Sequence, residues 1–137
     1  MNPAEDGIRL GTGLRASQRI ADRLRSGAVP VDEVRTLLHD ASTLIRVNAM
    51  EALIEPARHD AALLRDLEDA ARHPENQIRL MGLRAAHYAI ACLLRVGTRE
   101  AIETATALVS GLPDPERSDV TRWLRLSGFD PERAVEA

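Results

Sequence analysis

Sliding the chain against itself by 33 residues brings the same residue classes into register three times. Leu14, Ala16 and Ile20 fall on Val47, Ala49 and Leu53, and then on Leu80, Gly82 and Ala86, with a small residue always in the middle. A second set obeys the same offset: Val31, Val34, Leu37 and Leu38 fall on Leu64, Leu67, Ala70 and Ala71. A further copy, Ile102, Ala105, Leu108 and Val109, lies 38 residues on. In the second set the apolar residues are three, four and seven apart, the spacing of one helix face. Each unit therefore holds two helices, and a pair of this size buries its apolar faces only against neighbouring pairs. Such a period predicts an α-solenoid, for which about three units is the minimum.

Local start and stop signals divide the chain further. A helix is predicted over 14–25, with Leu14, Ile20, Ala21 and Leu24 on one face and Ser26-Gly27 as its stop. Pro30 opens a second helix to 39; Asp40 and Ser42 cap a third, 43–54, which Pro56 ends. Asp60 caps a fourth, 61–73, and Thr98 a sixth, 98–110, closed by Gly111 and Pro113. Between them, 74–97 is expected to be the longest and most buried helix. From Ile78 to Leu94 nearly every position is apolar or small, and a helix apolar all round has neighbours on several faces. It is no membrane span: Arg79, Arg84 and His87 interrupt it, and Tyr88 to Leu94 falls far short of the ~20 residues a bilayer needs. Asp-Pro-Glu-Arg at 114–117 and again at 130–133 supplies an N-cap aspartate, a proline at the first helical position and a first-turn glutamate. The expected organisation is a flexible arm over 1–12, a helical repeat domain over 13–129 and a short helical tail over 130–137.

The 137 residues suffice for one core. Cys92 is the lone cysteine, which excludes an intrachain disulfide, and among alanines and leucines it reads as a small buried hydrophobe from a reducing compartment. The first residues, MNPAEDGIRL, have no apolar run of the kind a signal peptide carries, so a cytoplasmic protein is expected. All 18 basic residues are arginine, which excludes a Schiff-base or P-loop lysine and, with the many alanines, points to a GC-rich bacterial genome. A net charge of −3 sets up no global attraction for nucleic acid or anionic lipid. Tyr88, Trp123 and Phe129, the only aromatics, leave little for base stacking.

Two segments carry a family resemblance: Ile45, Arg46, Ala49, Ala52 and Leu53 in IRVNAMEAL, and Ile78, Arg79, Gly82, Ala85 and Ala86 in IRLMGLRAA. They resemble the first helix of a HEAT (armadillo-type) repeat, with a β-branched residue, an arginine, then small residues. The resemblance covers about residues 14–127 and implies three HEAT-like helix pairs plus a C-terminal capping helix. It also implies that Arg46 and Arg79 pair with acids of adjoining units, and that the second helices line the concave side. Tetratricopeptide repeats have a similar period, but their bulky aromatic positions are absent.

Candidate chemistry is sparse. GTGLRA at 11–16 matches a dinucleotide fingerprint, yet the βαβ unit that fingerprint requires is missing. His39-Asp40 and His59-Asp60 resemble metal-binding His-acid pairs, but both stand at helix junctions, where the aspartate is an N-cap and the histidine suits the negative helix end. His87 and Cys92, five apart on a helix, point to different sides and form no catalytic dyad. No catalytic, cofactor-binding or metal-ligating set is therefore assigned, and the chain is read as non-enzymatic.

The charge pattern carries the functional expectation. Second helices and their entrances are acid-rich, and first helices are arginine-rich. With the second helices concave, the groove is mildly acidic and suits a basic or amphipathic protein segment. The expected function is a small adaptor or accessory subunit binding a protein partner. Its polar rim is Arg65, Glu68, Asp69, Arg72, Glu100 and Glu103, and Trp123 and Phe129 form a second docking patch at the C-terminal end. The alternative is nucleic-acid binding through Arg15, Arg19 and Arg23, joined by Arg122 and Arg125.

Overall fold

The computed structural model describes residues 3–77, 79–80 and 83–128, with side chains over 15–77 and 83–128. Its described residues form an all-helical chain, interrupted by one minimal strand ladder. The chain divides into two compact units, Met1–Ala52 and Leu53–Ala137.

The first unit holds α1 (Pro3–Ser26), α2 (Val31–Leu37) and α3 (Thr43–Ala52). Helix α1 starts well before the expected residue 14 and takes in most of the stretch expected to be a loose arm. Pro3 stands at the first helical position, where its missing N–H costs nothing, and Glu5 and Asp6 follow at the positive helix end. Gly7, Gly11 and Gly13 each weaken the helix by about 1 kcal/mol relative to alanine but do not terminate it. The GTGLRA stretch thus runs inside α1, not through a strand-to-helix turn. Gly27 ends the helix with φ 78°, a left-handed conformation that favours glycine. Helices α1 and α2 both pack on α3. Among the described residues of this unit the buried apolar ones are Ala21, Leu24, Val34, Leu38, Ile45, Ala49 and Met50, and the fully buried Ala21 and Ala49 are small residues on helices that touch.

The second unit holds α4 (Ile54–Ala57), α5 (Ala61–Arg72), a 3₁₀ turn (Pro74–Gln77), β1 (Arg79–Leu80), β2 (Leu83–Arg84), α6 (Ala85–Val96), α7 (Arg99–Ser110) and α8 (Asp114–Leu126). The helix expected over 43–54 ends at Ala52, and Pro56 lies inside α4, in a first turn that needs no N–H from it. Asp60 caps α5 by accepting from Ala62 N–H at 2.9 Å, and Thr98 caps α7 by accepting from Ala101 N–H at 3.2 Å.

The largest correction concerns the helix expected over 74–97, because among its described residues only Ala85–Val96 are α-helical. After α5 the chain folds back on that helix's end. Asn76 Nδ2 donates to Ala70 O at 2.9 Å, and Gln77 Nε2 donates to Ala71 O and His73 O at 3.2 Å each. These amides satisfy the carbonyls that α5 leaves open and hold 74–77 in a 3₁₀ turn. Leu80 then pairs with Leu83 and Arg79 with Arg84 in an antiparallel ladder. The burial expected of the central helix does hold for α6, which packs on α4, α5 and α7 with Ala89 and Leu93 fully buried.

Helix α8 begins at Asp114 with Pro113 as its N-cap residue, so Asp114 lies one position further in than expected and pairs with Arg117. The second Asp-Pro-Glu-Arg and the tail expected over 130–137 lie outside the described residues.

Candidate functional site

In the second unit α5 and α7 are in contact, and their outward positions carry the predicted rim. Arg65, Asp69, Arg72, Glu100 and Glu103 are exposed, and Glu68 is half-buried. The inner faces of the same helices are apolar: Leu63, Leu64, Leu67 and Ala70 on α5, and Ala101, Ala105 and Val109 on α7. This split follows from the 3.6-residue period. Arg72 reaches Glu68 at 3.3 Å and Arg99 reaches Glu103 at 3.2 Å, both one turn apart, so two of the carboxylates are partly neutralised within their own helices. Such exposed pairs contribute well under about 1 kcal/mol and leave the charges available to a partner. Counting Asp60, Asp66, Glu68, Asp69, Glu100 and Glu103 against Arg65, Arg72 and Arg99, the surface remains acidic.

The C-terminal patch is more covered than expected. Trp123 is half-buried, its ring edge-on to Tyr88 of α6 with centroids 5.2 Å apart, and Leu124 is fully buried. Leu126 is 83% exposed, while Phe129 lies outside the described residues.

A polar cluster around one buried histidine joins α8 to the start of α6. His87, in the first turn of α6, is 3% exposed. Its Nδ1 accepts the Arg84 main-chain N–H at 3.0 Å, and its Nε2 lies 2.9 Å from Glu116 Oε1. Arg84 Nη1 stands 3.5 Å from the same carboxylate oxygen and donates to Gln77 Oε1 at 3.3 Å. An imidazole that accepts at Nδ1 carries its proton on Nε2, so His87 is neutral and donates to Glu116. Both nitrogens are committed, and a general base needs a lone pair within reach of a substrate proton. The cluster therefore caps α6 and anchors the first turn of α8. Cys92 is 3% exposed on α6, the small buried residue that the sequence suggests.

The remaining candidates have structural partners. Asp40 Oδ2 accepts from Ser42 N–H at 2.8 Å, so of the two His-Asp pairs one aspartate orders a helix entrance and the other, Asp60, caps α5, while His39 and His59 are exposed. Arg46 is 2% exposed, and its guanidinium donates to Asp40 O at 2.8 Å, Ala41 O at 3.1 Å and Thr43 Oγ1 at 3.1 Å. It thus holds the loop that leads into its own helix, a role that the expected pairing with an adjoining unit's acid did not include. Arg79's side chain lies outside the described residues.

One pairing escaped the sequence reading. Asp22 and Arg25 form an ion pair in the first unit, and Glu55 and Arg58, 33 residues on, form one in the second. Arg25 also reaches Asn48 Oδ1 of α3 at 3.5 Å, and Arg58 donates from Nε to Val96 O and from Nη2 to Arg95 O, each at 3.0 Å, at the end of α6. Acid-x-x-Arg at the same repeat position was the available signal. The Gln18 amide and the Arg25 guanidinium hold the Asp22 carboxyl below the usual carboxylate range.

Among the described residues no helix is long and apolar enough to cross a membrane. Comparison with family models, with curated proteins and with solved structures found no match.

Proposed function

We propose that the chain is a short HEAT-like helical repeat module and works as a non-enzymatic adaptor or accessory subunit, binding a basic or amphipathic segment of a protein partner across α5 and α7. The observation that supports this reading is the contact between these helices, whose outward positions carry the exposed Arg65, Asp69, Arg72, Glu100 and Glu103 and the half-buried Glu68. Their apolar sides are committed to the core, so recognition there is polar and steered by charge. The repeat reading draws support from three features: the offset of 33, the matching pairs Asp22–Arg25 and Glu55–Arg58, and the packing of like on like, α1 on α3 and α5 on α7.

Affinity capture with the full chain tests the reading, comparing the natural sequence with a chain carrying Glu68→Arg, Asp69→Arg and Glu100→Arg. One stoichiometric protein should be captured by the first and lost by the second, with circular dichroism unchanged. Capture of the same proteins by both chains would remove α5 and α7 from the site.

A further inference from the structure

We infer that the outward face of α1 is a binding stripe for the phosphate backbone of a nucleic acid. This rests on the first unit alone and is independent of the α5–α7 reading. Arg15, Arg19 and Arg23 are exposed and spaced four residues apart, opposite the buried Ala21 and Leu24. Four residues advance a helix by about 6 Å, so the three guanidiniums rise in one slowly turning row. Two steps along one DNA strand cover about 6.8 Å, a comparable repeat. Among the described residues none of the three makes a side-chain hydrogen bond or ion pair, whereas Arg25 on the adjoining face is paired.

Asp22 stands one turn from Arg19 on the same helix, yet its carboxylate is engaged elsewhere. Asp22 accepts from Gln18 Nε2 at 3.1 Å and pairs with Arg25, both on the side remote from Arg19 and Arg23. In α5, by contrast, Glu68 pairs with Arg72 one turn away.

The net charge of −3 does not cancel this local field, because beyond a Debye length of about 10 Å at 0.1 M salt the distant acids are screened. A single file of charges fits a linear polyanion better than a sheet of lipid headgroups. A helix that binds a bilayer surface also inserts an apolar face, and that of α1 is packed on α3.

Fluorescence anisotropy of the full chain with a labelled mixed-sequence DNA duplex of about 20 base pairs tests the inference, with phosphatidylserine vesicles as the competing surface. Three phosphate contacts predict a log–log salt slope of about −2.7, so binding should weaken about 40-fold between 50 and 200 mM salt. Arg19→Gln should shallow the slope by about 0.9, and the triple change Arg15→Gln, Arg19→Gln and Arg23→Gln should abolish binding with helicity retained. If the triple variant loses helicity, the single Arg19→Gln slope decides. Three results would overturn the inference: no binding at 50 mM salt, a slope unaltered by these substitutions, or tighter binding to the vesicles than to the duplex.

Discussion

Residues 45–54 and 78–87 carry the same pattern of isoleucine, arginine and small residues, yet the first copy of it runs through α3 and into α4, while the second passes through the β1–β2 ladder before α6 begins. The cause lies in what precedes each copy. Before the first, Ser42 Oγ accepts from Ile45 N–H at 3.4 Å, Asp40 holds Ser42, and Arg46 reaches back to the loop carbonyls. At the equivalent positions of the second, His73 Nδ1 accepts the Glu75 N–H at 3.4 Å in the same way, but Pro74 lies between them and the amides of Asn76 and Gln77 turn back to close α5. Helix start waits there until His87 offers Nδ1 to the Arg84 N–H. An apolar pattern says which residues a helix would bury, whereas the nearest side-chain acceptor says where that helix can begin.

The comparison breaks first at Arg46. Arg46→Met strips the Asp40 and Ala41 carbonyls of their charged donor and removes a buried guanidinium, and should cost about 3 kcal/mol, read from the urea midpoint. A loss under about 1 kcal/mol would mean that water satisfies those carbonyls and that the anchor does not distinguish the copies.

Next is His87, which stands where the first copy has Ile54. His87→Ile removes the cap and the neutral donor to Glu116, at a cost of about 2 kcal/mol. Adding Glu116→Leu should recover most of the loss, since replacing both members of a buried polar pair is close to neutral. Trp123 fluorescence during unfolding reports both variants, its ring lying against Tyr88. Additive losses in the double variant would show that the two side chains are not coupled.

The smallest effect sharpens the contrast at the helix entrances. Ser42→Ala should cost about 1 kcal/mol as a lost N-cap, and Glu75→Ala, at the equivalent position, under about 0.5 kcal/mol. Equal losses would mean that capping is not what separates the copies.

Much of the fold was legible because its signals are local. Asp60 and Thr98 cap the helices they were expected to cap, and Gly97 ends α6 with φ 76°. The break at Leu53 and the strand ladder were not legible. IRLMGLRAA reads as helix by period and composition, and the competing bonds come from Asn76 and Gln77, which carry no such period. The candidate surface shows the same division: the exposure of Arg65, Asp69 and Glu100 followed from helix period, while the cover over Trp123 depended on a ring 35 positions away.

The sequence by itself determined the helical class, most helix ends and the polar face of each helix. A cap or a heptad-like spacing is complete within one or two turns, and its energy does not depend on distant chain. Only the tertiary structure decided that Glu116 meets His87, that Arg58 closes the end of α6 and that, within the expected central helix, 74–77 form a turn and 79–80 and 83–84 a ladder. The contacts of Glu116 and Arg58 join residues 29 to 38 positions apart, and apolar burial summed over whole helices brings them within bonding distance. The turn and ladder rest instead on pairs three to six residues apart, whose competition with the helix only the fold resolves.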